Sequence, residues 1–452
     1  MTGRRGPSWI DIPVNYQGCY IETDELRGYD PSEDVNENPA PVEKSVIAEV
    51  IGKIKDAKRP VLYAGNGIRL SEGYGAFRKA VEKLGIPVVT CWDSIDAIED
   101  ENPLYVGRGG IMGDRPGNFA VQNADLVLAV GNRLSIRQVG YSWKTWAREA
   151  YVIMVDVDPA ELKKTTLHVE LPVCADAKDF FVQMNEQLAD EDVPVFAGKE
   201  WIRKCQEWKK NYPVTQPKHW EEDGKYANVY AFIKYLSQNL PQGNMTVVSN
   251  GSACVVGSHN YVIQKEARFL INSAVASMGY GLPAAIGACI ATGRKTTICL
   301  EGDGSIMMNL QELQTVLTNQ LPIKIFVINN QGYHSIRQTQ NNLFKEHCKI
   351  GIGPESGDLS FPDFSKLSEA FGYTYLEAHS NAQMKKMVDQ ALKIDGAVFC
   401  EIFVSAEQNF EPKSATKRLE DGTLVSPPLE DLAPFLPREE IIKNMFIPVI
   451  EE

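Results

Sequence analysis

The sequence lacks any long uninterrupted stretch of apolar residues, and it also lacks an excess of basic charge. A bilayer-spanning helix needs about 18–20 consecutive apolar residues, and no stretch of the 452 residues approaches that length. Lysine and arginine number 46 against 59 aspartate and glutamate residues, which gives a net charge of −13. An acidic chain is a poor partner for nucleic acid or an anionic membrane. We therefore expect neither of them as a ligand.

Closely spaced cysteines are absent as well. The nine cysteines include no Cys-x-x-Cys pair, and Cys299 and Cys400 fall within apolar runs. Zinc sites and redox motifs of the common kinds need such pairs, whereas isolated thiols in apolar runs indicate buried, reduced cysteines. The sequence therefore predicts a protein of a reducing compartment, and we expect a cytoplasmic location.

The composition is that of a globular protein, with 44% hydrophobic and 23% charged residues. At about 100–200 residues per domain, the length predicts two to four domains. Strand-like apolar runs alternate with amphipathic helical patterns in residues 41–190 and again in residues 226–405. Such alternation predicts parallel sheets with helices on both faces. The expected fold is α/β with two doubly wound domains, a connector over residues 191–225 and a C-terminal tail over residues 406–452 that caps a domain.

In the first of these domains, two polar stretches follow predicted strands. Gly65-Asn66-Gly67 comes after the apolar run at 60–64, and Arg133 and Arg137 come after the run at 126–130. A Gly-x-Gly turn can cradle a phosphate, but it is more often only a turn. Arginines at the edge of a sheet bind an anion in some proteins and are solvated or paired with acids in others. The sequence leaves both questions open.

One segment of the second domain combines two predicted buried strands with a polar turn after each. The first strand leads into Gly-Asp-Gly-Ser at 302–305, a helical pattern follows, and the second strand leads into Asn-Asn at 329–330. Ligands of open α/β sheets sit outside the carboxyl ends of the strands. Adjacent parallel strands would bring the two turns side by side. We therefore expect Asp303 and Asn330 to meet at one corner of the sheet.

The chemistry of this corner suits Mg²⁺ with a diphosphate attached. Mg²⁺ takes oxygen ligands and is commonly held by one or two protein groups together with phosphates. Asp303 offers a carboxylate, Asn330 an amide oxygen and Gly332 a backbone carbonyl. Gly302 and Gly304 would let backbone N–H groups approach phosphate oxygens closely. Gly-Asp-Gly alone is usually a turn, but the strand–helix–strand frame with Asn-Asn favours a metal site.

The combination of Gly-Asp-Gly and Asn-Asn resembles the thiamine diphosphate motif. The stretch from Ser277 to Ala288 is similar to the same region of acetolactate synthase large subunits and their relatives, and the similarity extends over essentially the whole chain. The resemblance implies thiamine diphosphate and Mg²⁺ as cofactors, with Asp303, Asn330 and the Gly332 carbonyl as metal ligands.

Further roles follow from the same resemblance. Met278 would be the apolar wedge beneath the cofactor, and the Ala276 carbonyl would accept a hydrogen bond from the cofactor's amino group. In acetolactate synthases the domain corresponding to residues 41–190 binds FAD, and the resemblance leaves open whether this chain does so. The implied cofactor-binding residues are Gly251, Ser252, Ala253, Ala276, Met278, Gly302, Asp303, Gly304, Ser305, Asn330, Gly332 and Tyr333.

The resemblance also interprets the start of the sequence. Gly6 to Pro13 is similar to the last strand of a pyrimidine-binding domain, so residues 1–40 are interpreted as a remnant of that domain and a linker. In the family that domain carries the glutamate that activates the cofactor's pyrimidine ring, and no residue of this sequence matches its motif. We therefore expect either a homo-oligomer or a partner chain that supplies a pyrimidine-binding domain. Without that domain we expect no turnover.

Residues 333–338 depart from typical acetolactate synthases. His334 is the one histidine that this interpretation places in the cleft, and Arg337 lies three residues beyond it. Each is either an ordinary structural residue or a contact for a substrate carboxylate or phosphate, since arginine can bind such groups with two hydrogen bonds. With Met278, these two residues are the expected catalytic set.

The leading hypothesis for function is a carboligase that resembles acetolactate synthase and decarboxylates a 2-keto acid such as pyruvate. One alternative is a thiamine diphosphate decarboxylase or acyl transferase acting on another keto acid or a keto sugar. A second alternative is a subunit that binds the cofactor without catalysis. The sequence does not separate these three.

Overall fold

The computed structural model describes residues 9–33, 39–189, 193–222, 224–344, 349–418 and 421–450. Two six-stranded sheets form its framework, and helices cover both faces of each. All strand pairings within these two sheets are parallel. The predicted fold class, α/β with two doubly wound domains, is confirmed.

The first sheet runs in the order β3-β2-β1-β4-β5-β6. Its strands are β1 Pro60–Ala64, β2 Val88–Thr90, β3 Tyr105–Arg108, β4 Leu126–Val130, β5 Tyr151–Asp156 and β6 Leu171–Cys174. Every residue of β1 and β4 is buried, as expected for central strands that are covered on both faces. The strand order reverses between β1 and β4, which is the point where doubly wound sheets bind ligands.

The helices of the first domain follow from amphipathic patterns. In α2, for example, Ile47, Val50, Ile51 and Ile54 form the buried face, at the spacing that puts residues on one side of a helix. The helices of this part of the chain are α1 Val14–Gln17, α2 Lys44–Asp56, α3 Gly67–Leu70, α4 Tyr74–Leu84, α5 Arg115–Gln122, α6 Ile136–Val139, α7 Pro159–Leu162 and α8 Ala177–Gln187. The connector contributes α9 Lys199–Asn211.

The second sheet runs in the order β11-β12-β10-β9-β7-β8. Its strands are β7 Met245–Val248, β8 Arg268–Ile271, β9 Thr297–Gly302, β10 Ile323–Asn329, β11 Thr374–Ala378 and β12 Val398–Phe403. The helices around it are α10 Val229–Gln238, α11 Ser252–Asn260, α12 Gly281–Ala291, α13 Asp303–Ile306, α14 Glu312–Thr318, α15 His334–Phe344, α16 Phe364–Phe371 and α17 Asn381–Lys393. Strands β9 and β10 are direct neighbours, with Gly302 opposite Ile328.

The start of the chain differs from its prediction as a strand. Gly6 to Ser8 lie outside the described residues, and Trp9 to Pro13 form no strand. Trp9 and Ile10 are exposed. A β-strand needs a neighbour to pair its backbone N–H and C=O groups, and within the described residues no strand lies beside this segment.

The C-terminal tail lies over the first domain. It contains a two-stranded ribbon, β13 Lys417–Arg418 with β14 Leu424–Val425, and the final helix α18 Arg438–Asn444. Asn444 joins the tail to the connector, because its Oδ1 accepts a hydrogen bond from Trp208 Nε1 at 2.8 Å and its Nδ2 donates to the Tyr212 hydroxyl at 2.7 Å. Asn123, directly after α5, also donates to the Asn444 carbonyl.

Loops of the first domain contact the second domain. Asp96 accepts a hydrogen bond from Arg268 Nε at 2.8 Å, and Asp100 accepts one from the Ile263 backbone at 2.7 Å. Arg108, which is buried, donates to backbone carbonyls of α11 and the residue after it. None of the helices in the described part of the chain combines the length and the apolar composition that crossing a bilayer requires.

We predict that Asn444→Ala lowers the free energy of unfolding by about 1–3 kcal/mol, because the buried Trp208 N–H loses its acceptor. Denaturant titration measures the change. The matched control is Asn319→Ala, an exposed asparagine at the end of α14, which should change stability by less than about 0.5 kcal/mol. Equal effects of the two substitutions would contradict the role given to Asn444.

Candidate functional site

The two polar turns meet at the carboxyl ends of β9 and β10, as predicted. Asp303 follows β9 directly and is 2% exposed. Its Oδ2 accepts a hydrogen bond from the Gly332 backbone N–H at 2.9 Å, and its Oδ1 accepts one from the Gly304 N–H at 2.7 Å. One carboxylate therefore joins both turns, and each of its oxygens keeps a lone pair for a further partner.

Asn330 presents an unused acceptor at the same corner. Its Nδ2 donates to Ser252 Oγ at 3.0 Å, while its Oδ1 is buried and has no hydrogen-bond partner. A buried polar atom without a partner costs about 1–3 kcal/mol, so its presence needs an explanation. A cation bound beside Asp303 would provide one.

The raised pKa of Asp303 also favours a cation site at this corner. Burial raises the pKa of this carboxyl to about 7, although backbone N–H groups of Gly332 and Gly304 and the charge of Arg337 oppose the shift. A buried carboxylate is stabilised by a nearby cation. Among the described residues, no three His, Cys, Asp or Glu side chains lie together as a metal site. The donors here are instead a carboxylate, an amide oxygen and a carbonyl, which suit Mg²⁺.

Only glycine fits at position 332. Its φ is +148°, and a Cβ there would lie 1.8 Å from the Ile352 carbonyl oxygen. The Gly332 carbonyl accepts a hydrogen bond from the His334 backbone at 3.1 Å and keeps a second lone pair. Tyr333 packs its ring onto Gly304, where a Cβ would lie 2.2 Å from the ring.

Two more segments complete the corner. Gly251 has a φ of +73° and precedes α11, so that the helix begins at Ser252 and Ala253 beside Asn330. Ser305 Oγ lies 2.6 Å from Ser249 Oγ and accepts a hydrogen bond from the Gly279 backbone at 3.0 Å.

The segment around Gly279 carries two residues with predicted roles. Met278 is 41% exposed next to this junction, and Ala276 has a φ of +55°. At Gly302 an added Cβ would meet no atom closer than 3.9 Å. The twelve predicted cofactor-binding residues therefore lie on four segments that contact one another, and the backbone at Gly302 is open to a ligand.

Arg337 is held by protein groups on several sides. Its Nε donates to Glu355 Oε1 at 2.5 Å, and its two Nη atoms donate to the carbonyls of Asn330, Gln331 and Ile352 at 2.9–3.3 Å. It is 4% exposed. These contacts favour the structural ion pair over the substrate contact, because the guanidinium already fastens the turn that carries Asn330.

His334 is buried. The backbone groups of Ala406 and Gln408 are the polar neighbours of its ring nitrogens. The ring packs edge-on against Phe410 with 4.9 Å between centroids. Burial, and then the charge of Arg337, lowers the pKa of His334 to about 4. The histidine is therefore neutral near pH 7.

Two buried titratable residues on the elements of this corner were missed in the sequence. Glu301, in β9, is fully buried, and burial raises its pKa to about 7. His259 of α11 is also buried, and burial is the main cause that lowers its pKa to about 3. Helical spacing could have found His259, because it lies seven residues after Ser252 on α11.

A separate cavity of 780 Å³ lies at the switch point of the first sheet. Gly65-Asn66-Gly67 after β1 and Gly131-Asn132 after β4 form part of its wall, together with Arg133 and Arg137. Gly65 and Gly67 pack directly against Gly131, where a Cβ would lie within 2.1–2.6 Å of its backbone. The Gly-x-Gly turn thus has a packing role and also borders a cavity of a size that holds small-molecule ligands.

Comparisons with known proteins match both domains. Residues 47–184 match the thiamine pyrophosphate enzyme central domain, and residues 249–402 match the thiamine pyrophosphate enzyme C-terminal TPP binding domain. The chain is 30% identical over 414 residues to the acetolactate synthase isozyme 2 large subunit of Escherichia coli (strain K12), which covers 91% of this chain and 70% of that protein.

Two further relatives come from distant organisms. A probable acetolactate synthase 2, chloroplastic, of Oryza sativa subsp. japonica is 31% identical, with 91% of this chain and 62% of that protein covered. A probable acetolactate synthase large subunit of Methanococcus aeolicus is 30% identical, with 87% and 66% covered. The chain thus spans between about six and seven tenths of the length of these relatives.

We predict that Arg337→Ala lowers the free energy of unfolding by about 1–3 kcal/mol, because the carbonyls of three residues around the buried guanidinium lose their donor. Thermal or denaturant unfolding measures this. Arg203→Ala is the control, since Arg203 forms an exposed pair with Glu207 on α9 and should contribute about 0–1 kcal/mol. If Arg337→Ala left stability unchanged and impaired only the use of a keto acid, the result would support the alternative that Arg337 contacts the substrate.

Proposed function

The chain belongs to the thiamine pyrophosphate enzymes, and from this premise we propose that it decarboxylates a 2-keto acid such as pyruvate with thiamine diphosphate and Mg²⁺, and joins the product to a second carbonyl. The observation that carries the proposal is the corner formed by the Asp303 carboxylate and the unpartnered Asn330 Oδ1. Both groups are buried, and the Asn330 oxygen has no hydrogen-bond partner among the described residues.

Each segment of the corner receives a role in this proposal. Asp303, Asn330 and the Gly332 carbonyl would hold Mg²⁺. The backbone N–H groups at Gly302 to Ser305, and those at the start of α11, would face the diphosphate, as helix N-termini and glycine turns commonly do. Met278 would support the cofactor from below, and the Ala276 carbonyl would accept a hydrogen bond from it.

The chemistry of the reacting carbon belongs to the cofactor, since bound thiamine diphosphate supplies a centre that stabilises the negative charge left when CO₂ departs. The protein's part is to bind, orient and exclude water. Asp303 and Arg337 support this by fastening the Asn330 turn from two sides. His334 lies neutral and buried beside this turn.

We propose that a pyrimidine-binding domain of a partner chain completes the site and supplies the activating glutamate. Apolar side chains beside the corner support this proposal. Val275 is 79% exposed, Met278 41%, Met308 47% and Ile336 48%. Exposed apolar clusters of this kind commonly mark interaction sites.

For the cavity of the first domain we propose FAD as the ligand. The strand order around the cavity is the one that binds dinucleotides at its switch point, and the cavity volume of 780 Å³ is in the range of cofactor sites. At its wall Arg133 pairs with Glu161 at 3.2 Å and Arg137 lies over the Trp92 ring. Four aspartates, Asp93, Asp156, Asp158 and Asp176, line the same cavity, so the proposal rests on the strand order and the volume and not on the charge.

The cytoplasmic location, which was expected from the isolated cysteines, also stays a prediction.

We predict that Asp303→Ala abolishes Mg²⁺-dependent binding of thiamine diphosphate, because it removes the charged ligand from the proposed set. Calorimetric titration of the chain with the cofactor and Mg²⁺ measures the affinity, and circular dichroism checks the fold. Glu369→Ala, which removes an exposed acid on α16, should bind as the unaltered chain does. Unchanged affinity of Asp303→Ala would end the assignment of the metal site.

We predict further that residues 1–452, purified alone, release CO₂ from pyruvate about 10²–10⁴-fold more slowly than with a pyrimidine-binding domain supplied, because a positioned acid–base group is missing. The assay uses excess thiamine diphosphate and Mg²⁺. Analysis of the products after supplying the domain separates the hypotheses: acetolactate supports the carboligase, acetaldehyde supports a decarboxylase, and cofactor binding without turnover supports a non-catalytic subunit. Fast turnover by the chain alone would contradict the requirement for the domain.

A further inference from the structure

Strand β12, which lies beside β10 on the side away from β9, carries an acidic residue within an apolar sequence. Glu401 is 2% exposed and lies on the same face of the strand as Phe399. Burial is the main cause that raises its pKa, and hydrogen bonds from Asn329 and Tyr375 oppose that shift. A buried carboxylate is unfavourable unless it is hydrogen-bonded or paired. Its presence in this strand therefore indicates a specific role.

Both oxygens of Glu401 accept hydrogen bonds from side chains on the neighbouring strands. Oε1 accepts one from Asn329 Nδ2 at 2.5 Å, and Oε2 accepts one from the Tyr375 hydroxyl at 2.6 Å. Asn329 is the last residue of β10, and Tyr375 is in β11. An ionised carboxylate accepts hydrogen bonds but donates none. The contact therefore requires the NH₂ end of the Asn329 amide to face Glu401.

The other end of the Asn329 amide holds the turn after β10. Its Oδ1 accepts a hydrogen bond from the Gln331 backbone N–H at 2.9 Å. Gln331 has a φ of +56°, a left-handed conformation that is uncommon for a residue with a side chain. Because Gln331 lies between the proposed metal ligands Asn330 and Gly332, its backbone conformation sets the relative orientation of the two.

Glu401 thus determines which way round the Asn329 amide lies. If the amide turned over, its NH₂ group would face the Gln331 N–H, and its oxygen would face the carboxylate. Two donors would then oppose each other, as would two acceptors. The carboxylate favours the orientation in which the amide oxygen accepts from Gln331. Side chains that contact a metal site from behind its ligands commonly orient those ligands in this way.

We propose that Glu401 is a positioning residue for the Mg²⁺ site, and that it acts through Asn329 on the turn that carries Asn330 and Gly332. This inference rests on the proposed function. It gives a role to β12, a strand that provides none of the proposed ligands, and to the buried acid in its apolar sequence.

The test measures how much Mg²⁺ the chain needs to bind its cofactor. Thiamine diphosphate is titrated calorimetrically at a series of Mg²⁺ concentrations, and the concentration that gives half-maximal cofactor binding is taken as the midpoint. Glu401→Leu keeps a side chain of similar size and removes the acceptor for Asn329. We expect the midpoint to rise about 10- to 100-fold, as is typical when such a supporting contact is lost.

The conservative variant Glu401→Gln should rescue the site. Its amide oxygen can accept from Asn329, and its NH₂ group can donate to the Tyr375 oxygen. The Tyr375 hydroxyl can then donate to Glu377 Oε2, which lies 3.0 Å away. We expect the midpoint of Glu401→Gln to stay close to that of the unaltered chain.

Two further variants test the path of the effect. Glu377→Leu is the matched control, because Glu377 lies opposite Glu401 in the strand register but is exposed, and its midpoint should not change. Asn329→Ala should raise the midpoint as Glu401→Leu does. The double variant Asn329→Ala/Glu401→Leu should show no more than the larger of the two single effects, because both substitutions break one contact.

Hydrogen exchange of the chain without cofactor gives a second readout. The Gln331 N–H should exchange faster in Glu401→Leu than in the unaltered chain, because the Asn329 oxygen that accepts from it is no longer held in place. The melting temperature, measured on the same samples, shows whether the variant remains folded.

An unchanged midpoint in Glu401→Leu, with cofactor binding by the unaltered chain, would overturn the inference and leave the proposed function intact. Additive effects in the double variant, or equal impairment of Glu401→Gln and Glu401→Leu, would also overturn it. A lower melting temperature with unchanged midpoint and unchanged Gln331 exchange would assign Glu401 a purely structural role. If the unaltered chain binds no thiamine diphosphate at any Mg²⁺ concentration, the proposed function itself fails, and Gln331 exchange alone decides whether Glu401 holds the turn.

Discussion

The Asp303 carboxylate is the constraint on which the rest of the site depends. It is buried at the end of β9 and accepts one backbone hydrogen bond from its own turn and one from the turn after β10. These bonds hold the two turns in register, but they leave a negative charge in a region that raises its pKa to about 7. In the proposed function, a cation bound there would stabilise the carboxylate and pair with the Asn330 Oδ1 atom.

Much of this arrangement could be predicted from the sequence. The buried strands β1 and β4 are continuous apolar runs, and β9 and β10 are mostly apolar. Such runs are typical of parallel sheets covered on both faces. The meeting of Asp303 with the Asn330 turn follows from strand adjacency. Strands β3 and β6 were not predicted, because they lie at the edges of the first sheet and their sequences, Tyr-Val-Gly-Arg and Leu-Pro-Val-Cys, form no apolar run.

The features that could not be predicted depend on contacts between distant parts of the chain. Arg337 was left open between a structural and a substrate role, and only the fold shows Glu355 and three carbonyls around it. The tail is joined to the first domain because Lys413 pairs with Ala433 and the Ser414 backbone N–H donates to the Ile111 carbonyl. Hydrophobic periodicity does not report contacts of this kind.

A crystal structure of the chain with thiamine diphosphate and Mg²⁺ tests the central claim most directly, through the distances from the metal to the protein oxygens. The account predicts a metal ion about 2.0–2.1 Å from an Asp303 carboxylate oxygen, Asn330 Oδ1 and the Gly332 carbonyl, with the diphosphate completing its coordination. A metal or diphosphate bound elsewhere, with Asn330 Oδ1 still without a partner, would contradict it.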